Sequence, residues 1–168
     1  DYILPLSFPS SPKFPNQEDW EQISLNQLRA WNHAPSLPSL MINKTRSTSF
    51  TTSGCDLNQF RKNIKQAINR GLSESDALAS LTVNPAKICG IENSCGTLEK
   101  GKLANFLIVN GESYFEKNTS IHSTWIRGTP WLFSNDGNLT NPKHQSKNLP
   151  KRIANFPTNE RKVCLLYT

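Results

Sequence analysis

The sequence predicts an α/β chain: helices and short strands alternate up to about residue 90, a β-rich segment occupies residues 91–133, and an irregular basic tail fills residues 134–168. Three observations carry this. Capping signatures at Ser24 and Ser73 each precede helical apolar spacing. After Ile91 the apolar pattern changes from helical to period two. From Ser134 onward asparagines, among them Asn138, Asn141, Asn148, Asn155 and Asn159, are scattered among basic residues and apolar content falls away.

Taken in order, Tyr2–Leu6 (YILPL) suits a short buried strand whose proline keeps it from a central sheet position. Ser24 with Gln27 starts a helix over about Leu25 to His33, with Leu25 and Leu28 on one face and Pro35 ending it. Ser47–Thr52 (STSFTT) has the β-branched content of a strand. Leu57, Phe60, Ile64 and Ile68 share the apolar face of the next helix, which Gly71 closes, and Asp56 stands at its start as an N-cap. Ser73 and Asp76 form a second capping box before Ala77, Leu78 and Leu81. Asn84 and Pro85 restart a short helix as N-cap and first-turn residue, and Gly90 ends it.

The β-rich segment begins with a hairpin punctuated by Gly96 and Gly101, its arms carrying Leu98 and Leu103. Phe106–Val109 (FLIV) reads as a strand buried on both faces. Ile121–Arg127 makes another, closing at Gly128, and Trp131–Phe133 a third. The tail is expected to be disordered, with weak strand pairing by the final VCLLY as the alternative.

Composition narrows the functional classes. No run approaches the roughly 18 apolar residues of a transmembrane helix, and residues 1–14 lack the basic start and apolar core of a signal peptide. The chain reads as soluble in type, cytoplasmic or periplasmic, with no membrane partner. Residues 135–168 hold six Lys and Arg against two Asp and Glu, which is +4 of the formal +6. Lys143, Lys147, Lys151, Arg152, Arg161 and Lys162 could meet phosphates, but no interleaved aromatics accompany them, so a solvated charge run is the preferred reading over a nucleic-acid partner. Cys55, Cys89, Cys95 and Cys164 show no C-x-x-C spacing and read as separate thiols. His33, His122 and His144 are too far apart in sequence to grip one ion together, and His33 and His122 are read as structural. Phosphate-binding glycine loops and nucleophile elbows are absent.

Residues Ala77–Gly111 carry a resemblance. Thr82–Ala86 reads T-x-N-P-A, Gly96–Asn105 reads G-T-L-x-x-G-K-x-A-N, and the apolar strand Phe106–Val109 follows. This order is similar to the closing segment of the amidohydrolase superfamily, with Asn105 where most members carry Asp. Upstream, ILPLSFP and SLNQLRAWNHAP resemble an imidazolonepropionase-like bacterial branch, which extends the likeness from residue 2 to about residue 131. The resemblance implies that residues 1–90 are the C-terminal elements of a TIM (β/α)8 barrel, with Ser47–Thr52 as the eighth strand. It makes residues 91–133 part of a small composite β-sandwich whose other strands come from the opposite chain end, leaving exposed edges here. A complete barrel needs about 250 residues. The chain is therefore expected to be the C-terminal portion of a larger enzyme, with the missing N-terminal part as its partner and the isolated chain inactive.

The same resemblance implies hydrolysis of a carbon-nitrogen bond in an amide or cyclic amide by water activated on a divalent metal, zinc, whose ligands lie outside this chain. The superfamily places an aspartate directly after the last barrel strand, and that position is Ser53. Asp56 is the nearest carboxylate and the one candidate catalytic residue, set against its reading as an N-cap. Asn84, Pro85 and Gly90 are expected to be conformational. A non-catalytic pseudoenzyme or an interaction module using exposed sheet edges is the alternative function.

Overall fold

A computed structural model describes residues 1–12, 23–44, 47–133 and 139–140. The architecture is mixed α/β, with a two-stranded parallel sheet and a four-stranded sheet, and the chain divides into two units, Asp1–Ser80 and Leu81–Thr168. The division falls at Ser80, ahead of the change of sequence pattern at Ile91.

In the first unit β1 (Tyr2–Pro5) pairs in parallel with β2 (Thr48–Thr51), from Tyr2 opposite Thr48 to Pro5 opposite Thr51. Parallel neighbours require a long crossover, and helices supply it. α1 (Leu25–His33) opens on the expected capping box, with both reciprocal bonds between Ser24 and Gln27. The helix ends at His33, before Pro35, as expected, but the chain does not leave helical geometry there. A 3-10 turn over Ala34–Ser36 leads directly into α2 (Leu37–Lys44), which the sequence reading missed. Pro35 stands in the first turn of the 3-10 segment and Pro38 in that of α2, where no intrahelical N–H is needed, and both are buried.

β1 departs from the buried strand expected of it: Tyr2 and Ile3 are 55% and 62% exposed, and burial begins only with Leu6, just past its end. Leu25, expected on a buried face, is likewise exposed, whereas Leu28 is half-buried. β2 is better covered, with Thr48 and Ser49 almost inaccessible.

α3 (Leu57–Asn69) starts at Asp56, whose carboxylate accepts the Asn58 backbone N–H at 3.0 Å. Its inner face is Ile64 and Ala67, both fully buried, while the expected Leu57 is solvent-facing at the first turn. The helix ends as expected at Gly71, at φ +103°. Gly71 N–H bonds the Ile68 carbonyl and Leu72 N–H the Ala67 carbonyl, and Leu72 is itself buried. α4 (Glu74–Leu81) begins where Ser73 Oγ accepts the Asp76 N–H at 3.0 Å and donates to the Asp76 carboxylate at 2.6 Å.

The second unit opens with α5 (Val83–Ile88). Its N-cap is Thr82, not Asn84, so Asn84 and Pro85 both lie inside the first turn, where Pro85 costs no hydrogen bond. Gly90, at φ +69°, ends it with the same paired bonds as at Gly71: Gly90 N–H to Lys87 O and Ile91 N–H to Ala86 O.

No strand forms between Ile91 and Asn105, which corrects the expected hairpin arms. The segment is a looped turn closed by Leu103 N–H on Ser94 O at 2.9 Å, and Leu98 and Leu103 are substantially exposed. The reason is local. Gly96 and Gly101 sit at φ +94° and +97°, outside extended geometry, and Gly96 packs directly on Ala86.

The antiparallel sheet follows in the order β3 (Phe106–Asn110), β4 (Ser120–Ile126), β5 (Thr129–Phe133) and β6 (Leu139–Thr140). Phe106 stacks on its cross-strand partner Trp125 with ring centroids 5.2 Å apart, and Ile108 and Val109 are buried on alternate faces. Arg127 and Gly128, both at positive φ, turn β4 into β5, the conformation a two-residue hairpin favours. A bulge falls at His122, because Ile108 opposes Ser123 while Val109 opposes Ile121. β6 pairs with β5 inside the stretch read as irregular. The remaining tail expectations, the final VCLLY and the basic run included, lie outside the described residues, as does His144.

Candidate functional site

The loops after β1 and β2 leave the same, carboxyl end of the parallel pair, where open and closed α/β sheets gather functional groups. Two links hold these loops together. Leu6 N–H reaches Thr51 O at 3.4 Å, and the Asn63 side chain on α3 donates to Leu6 O at 2.6 Å and to Cys55 Sγ at 3.5 Å. Beside them lies a cavity of about 460 Å³ between the Ser7–Ser11 loop, Trp31 of α1, the Gly54–Asp56 loop and α3. Along α3 it meets Gln59, Asn63 and Gln66, which follow Asp56 at helical spacing.

Asp56, the candidate carboxylate, does border this cavity, but one of its oxygens holds the Asn58 N–H at the helix start. Ser53 is exposed, and its own N–H is turned back to Thr51 Oγ1 at 3.2 Å. Cys55 Sγ donates to the Asp56 carbonyl at 3.3 Å. Cys55 and Asp56 are thus each engaged with neighbouring backbone. The loop is a turn built to start α3.

Among the described residues no group of three or more His, Cys, Asp or Glu could hold a metal ion. Among the described residues at the strand ends, Cys55 and Asp56 both have the backbone partners just given, so these two do not fit a divalent metal site. His33 ends α1 and His122 sits on β4, with its Nδ1 3.3 Å from Ser123 Oγ.

Asn63 was not singled out from the sequence. Its signal is the polar stripe Gln59, Asn63, Gln66 beside the apolar stripe of α3, but its partner Leu6 is distant in the chain. Asn105 shows why the departure from aspartate is mild. Its Oδ1 accepts the Arg127 N–H at 2.8 Å while Gly128 N–H bonds Ala104 O at 3.0 Å, so the residue anchors the β4–β5 turn. Either an amide or a carboxylate oxygen can accept that bond.

The amidohydrolase family model matches residues 41–131, more than half the chain. The chain belongs to the amidohydrolase family. An amidohydrolase from Thermotoga maritima has a similar crystal structure, with a TM-score of 0.54 and 24% identity over 64% of this chain. The matched part is 27% of that protein's length, so this amidohydrolase chain spans about a quarter of it. No curated protein matches the sequence. The family match takes in β2, the turn at Ser53–Asp56, the T-x-N-P-A and G-T-L turns, β3, β4 and the start of β5.

Proposed function

We infer that this chain is the C-terminal portion of a hydrolase that cleaves a carbon-nitrogen bond in an amide or cyclic amide, with a divalent metal, zinc, held by residues outside the chain. Family membership over residues 41–131 is the observation that carries the reading. The parallel β1–β2 pair with its helical crossover supports assigning these strands to the closing part of a (β/α)8 barrel, and the β3–β6 sheet to part of the small β domain. In this reading the chain supplies scaffold. Asn63 fixes the two loops at the carboxyl end of the strands, and Asp56 starts α3.

A pseudoenzyme is the second reading, favoured by Ser53, two residues past the end of β2, where the resemblance places the family's aspartate, and by the use of Asp56 as a cap. The first test is a metal titration of the purified chain with zinc, joined to an amide and cyclic-amide hydrolysis assay. Expected are no stoichiometric tight zinc binding and no turnover. Hydrolysis by the chain alone that Asp56→Ala abolishes would overturn the assignment of the metal and its chemistry to residues outside it. Addition of the remaining part of the enzyme separates the two readings, since restored turnover removes the pseudoenzyme.

A further inference from the structure

We propose that Cys89 and Cys95 form a dithiol site that a small-molecule disulfide of the glutathione type closes into an intrachain disulfide. Both are free thiols in the second unit, and both line one apolar recess of about 210 Å³ together with Pro85, Ala86, Ile91 and Gly96. The backbone brings their ends together. Cys89 caps α5, one turn after Ala86 and hence on the same side of the helix. Gly90 reverses the chain, so that Ile91 N–H returns to Ala86 O at 2.9 Å, and Cys95 N–H folds back on Ile91 O at 2.9 Å. Gly96, next to Cys95, approaches Ala86 so closely that a Cβ there would lie 2.8 Å from the Ala86 Cβ. The chain thus leaves Ala86 through Cys89 and comes back to it through Cys95.

Exposure assigns the order of events. Cys89 is exposed and Cys95 half-buried, so Cys89 meets the small disulfide first. Its thiolate attacks one glutathione sulfur, the glutathione S–S bond breaks, and one glutathione leaves as thiolate. The Cys95 thiolate then attacks Cys89 Sγ, the mixed disulfide breaks, and the second glutathione leaves. The protein loses two electrons and two protons, and one glutathione disulfide is reduced to two glutathione thiols. The product pins the end of α5 to the turn that carries the G-T-L motif.

The test uses the full chain, reduced and then equilibrated in glutathione buffers of increasing oxidation, quenched by alkylation and mapped as peptides by mass spectrometry. The expected product is a Cys89–Cys95 linked peptide, with Cys55 outside it. In Cys95→Ser the reaction stops at the mixed disulfide, so glutathione on Cys89 should rise about tenfold over the wild-type chain, where an intramolecular thiol competes at high effective concentration. Circular dichroism of both variants checks that the fold is retained. Independent, persistent glutathione adducts on Cys89 and Cys95 in the wild-type chain, or disulfides joining two chains, would overturn the proposal.

Discussion

The turn at Thr52–Asp56 and the segment Thr82–Asn105 sit at opposite ends of a contrast. The first occupies the place in the fold where a family member's chemistry is expected, yet its Cys55 and Asp56 side chains bond neighbouring backbone. The second holds the most specific motifs, and every motif residue whose contacts are resolved sets a conformation: Gly90 ends a helix, Gly96 admits close packing, Asn105 anchors a turn. A family signature can therefore be strongest where backbone geometry is most demanding, because only particular residues satisfy that geometry.

Gly96 gives the largest expected effect. In Gly96→Ala the new Cβ would lie 2.8 Å from Ala86 Cβ and 3.4 Å from Thr82 O, at a φ of +94° that disfavours any side chain. Overpacking and backbone strain together should cost about 3 kcal/mol, read as a lowered urea midpoint. Gly101→Ala meets no atom within 4 Å and carries the strain alone, at φ +97°, so it should lose less. Equal losses would break the claim that close approach to α5 is what Gly96 provides.

Asn105 sharpens the same claim by chemistry. Asn105→Ala leaves the Arg127 N–H without its side-chain partner and should cost about 1–2 kcal/mol, whereas Asn105→Asp keeps an acceptor and should stay within about 0.5 kcal/mol. Urea unfolding of both variants decides it. If the aspartate is as damaging as the alanine, acceptance of that N–H is not the role of this position.

What was legible in the sequence divides along a physical line. The caps at Ser24, Asp56 and Ser73 and the helix ends at Gly71 and Gly90 depend on bonds within a few residues, so spacing alone announces them. α2 was hidden because Pro35 read as a breaker, although Pro35 and Pro38 each fall in a first turn where proline is tolerated. The arms around Gly96 and Gly101 look like a hairpin by pattern, but the glycines serve positive φ and contact with α5, which no local pattern reveals. The bond from Asn63 to Leu6 was equally invisible, because it joins distant parts of the chain. The candidate site shows the same division: Asp56 was legible as a cap, whereas the cavity beside it needs α1, α3 and the β1 loop together.

Asp56 tests the other half of the contrast with a smaller effect. Asp56→Ala should lose about 1 kcal/mol by removing the N-cap, and Asp56→Asn, which also caps well, only a few tenths. Thermal unfolding of the two variants separates capping from a role that requires charge. Were asparagine as destabilising as alanine, the carboxylate's charge at the helix start would outweigh its hydrogen bond, and the turn would have to be reconsidered as an electrostatic site.

Glu99 gives the smallest expected effect, and its sign is the informative part. Its carboxyl group is held below the ordinary value of 4.5, first by a hydrogen bond from Thr97, then by the charge and hydrogen bond of Lys102. Lys102 Nζ lies 3.4 Å from Glu99 Oε2 and donates to Thr97 Oγ1 at 2.6 Å, so three motif side chains stitch the turn between Gly96 and Gly101. A carboxylate with a depressed folded-state pKa contributes stability that is fully present above its unfolded value and is lost as pH falls through the folded one. Glu99 is fully exposed, so solvent screening keeps the contribution small and the titration itself is the measurement to make. By NMR the Glu99 side chain should titrate below the ordinary glutamate value, and Thr97→Val should raise its midpoint more than Lys102→Met does. The reverse order would make charge the chief restraint on this turn and weaken the contrast, since a segment read as purely conformational would then owe part of its form to electrostatics.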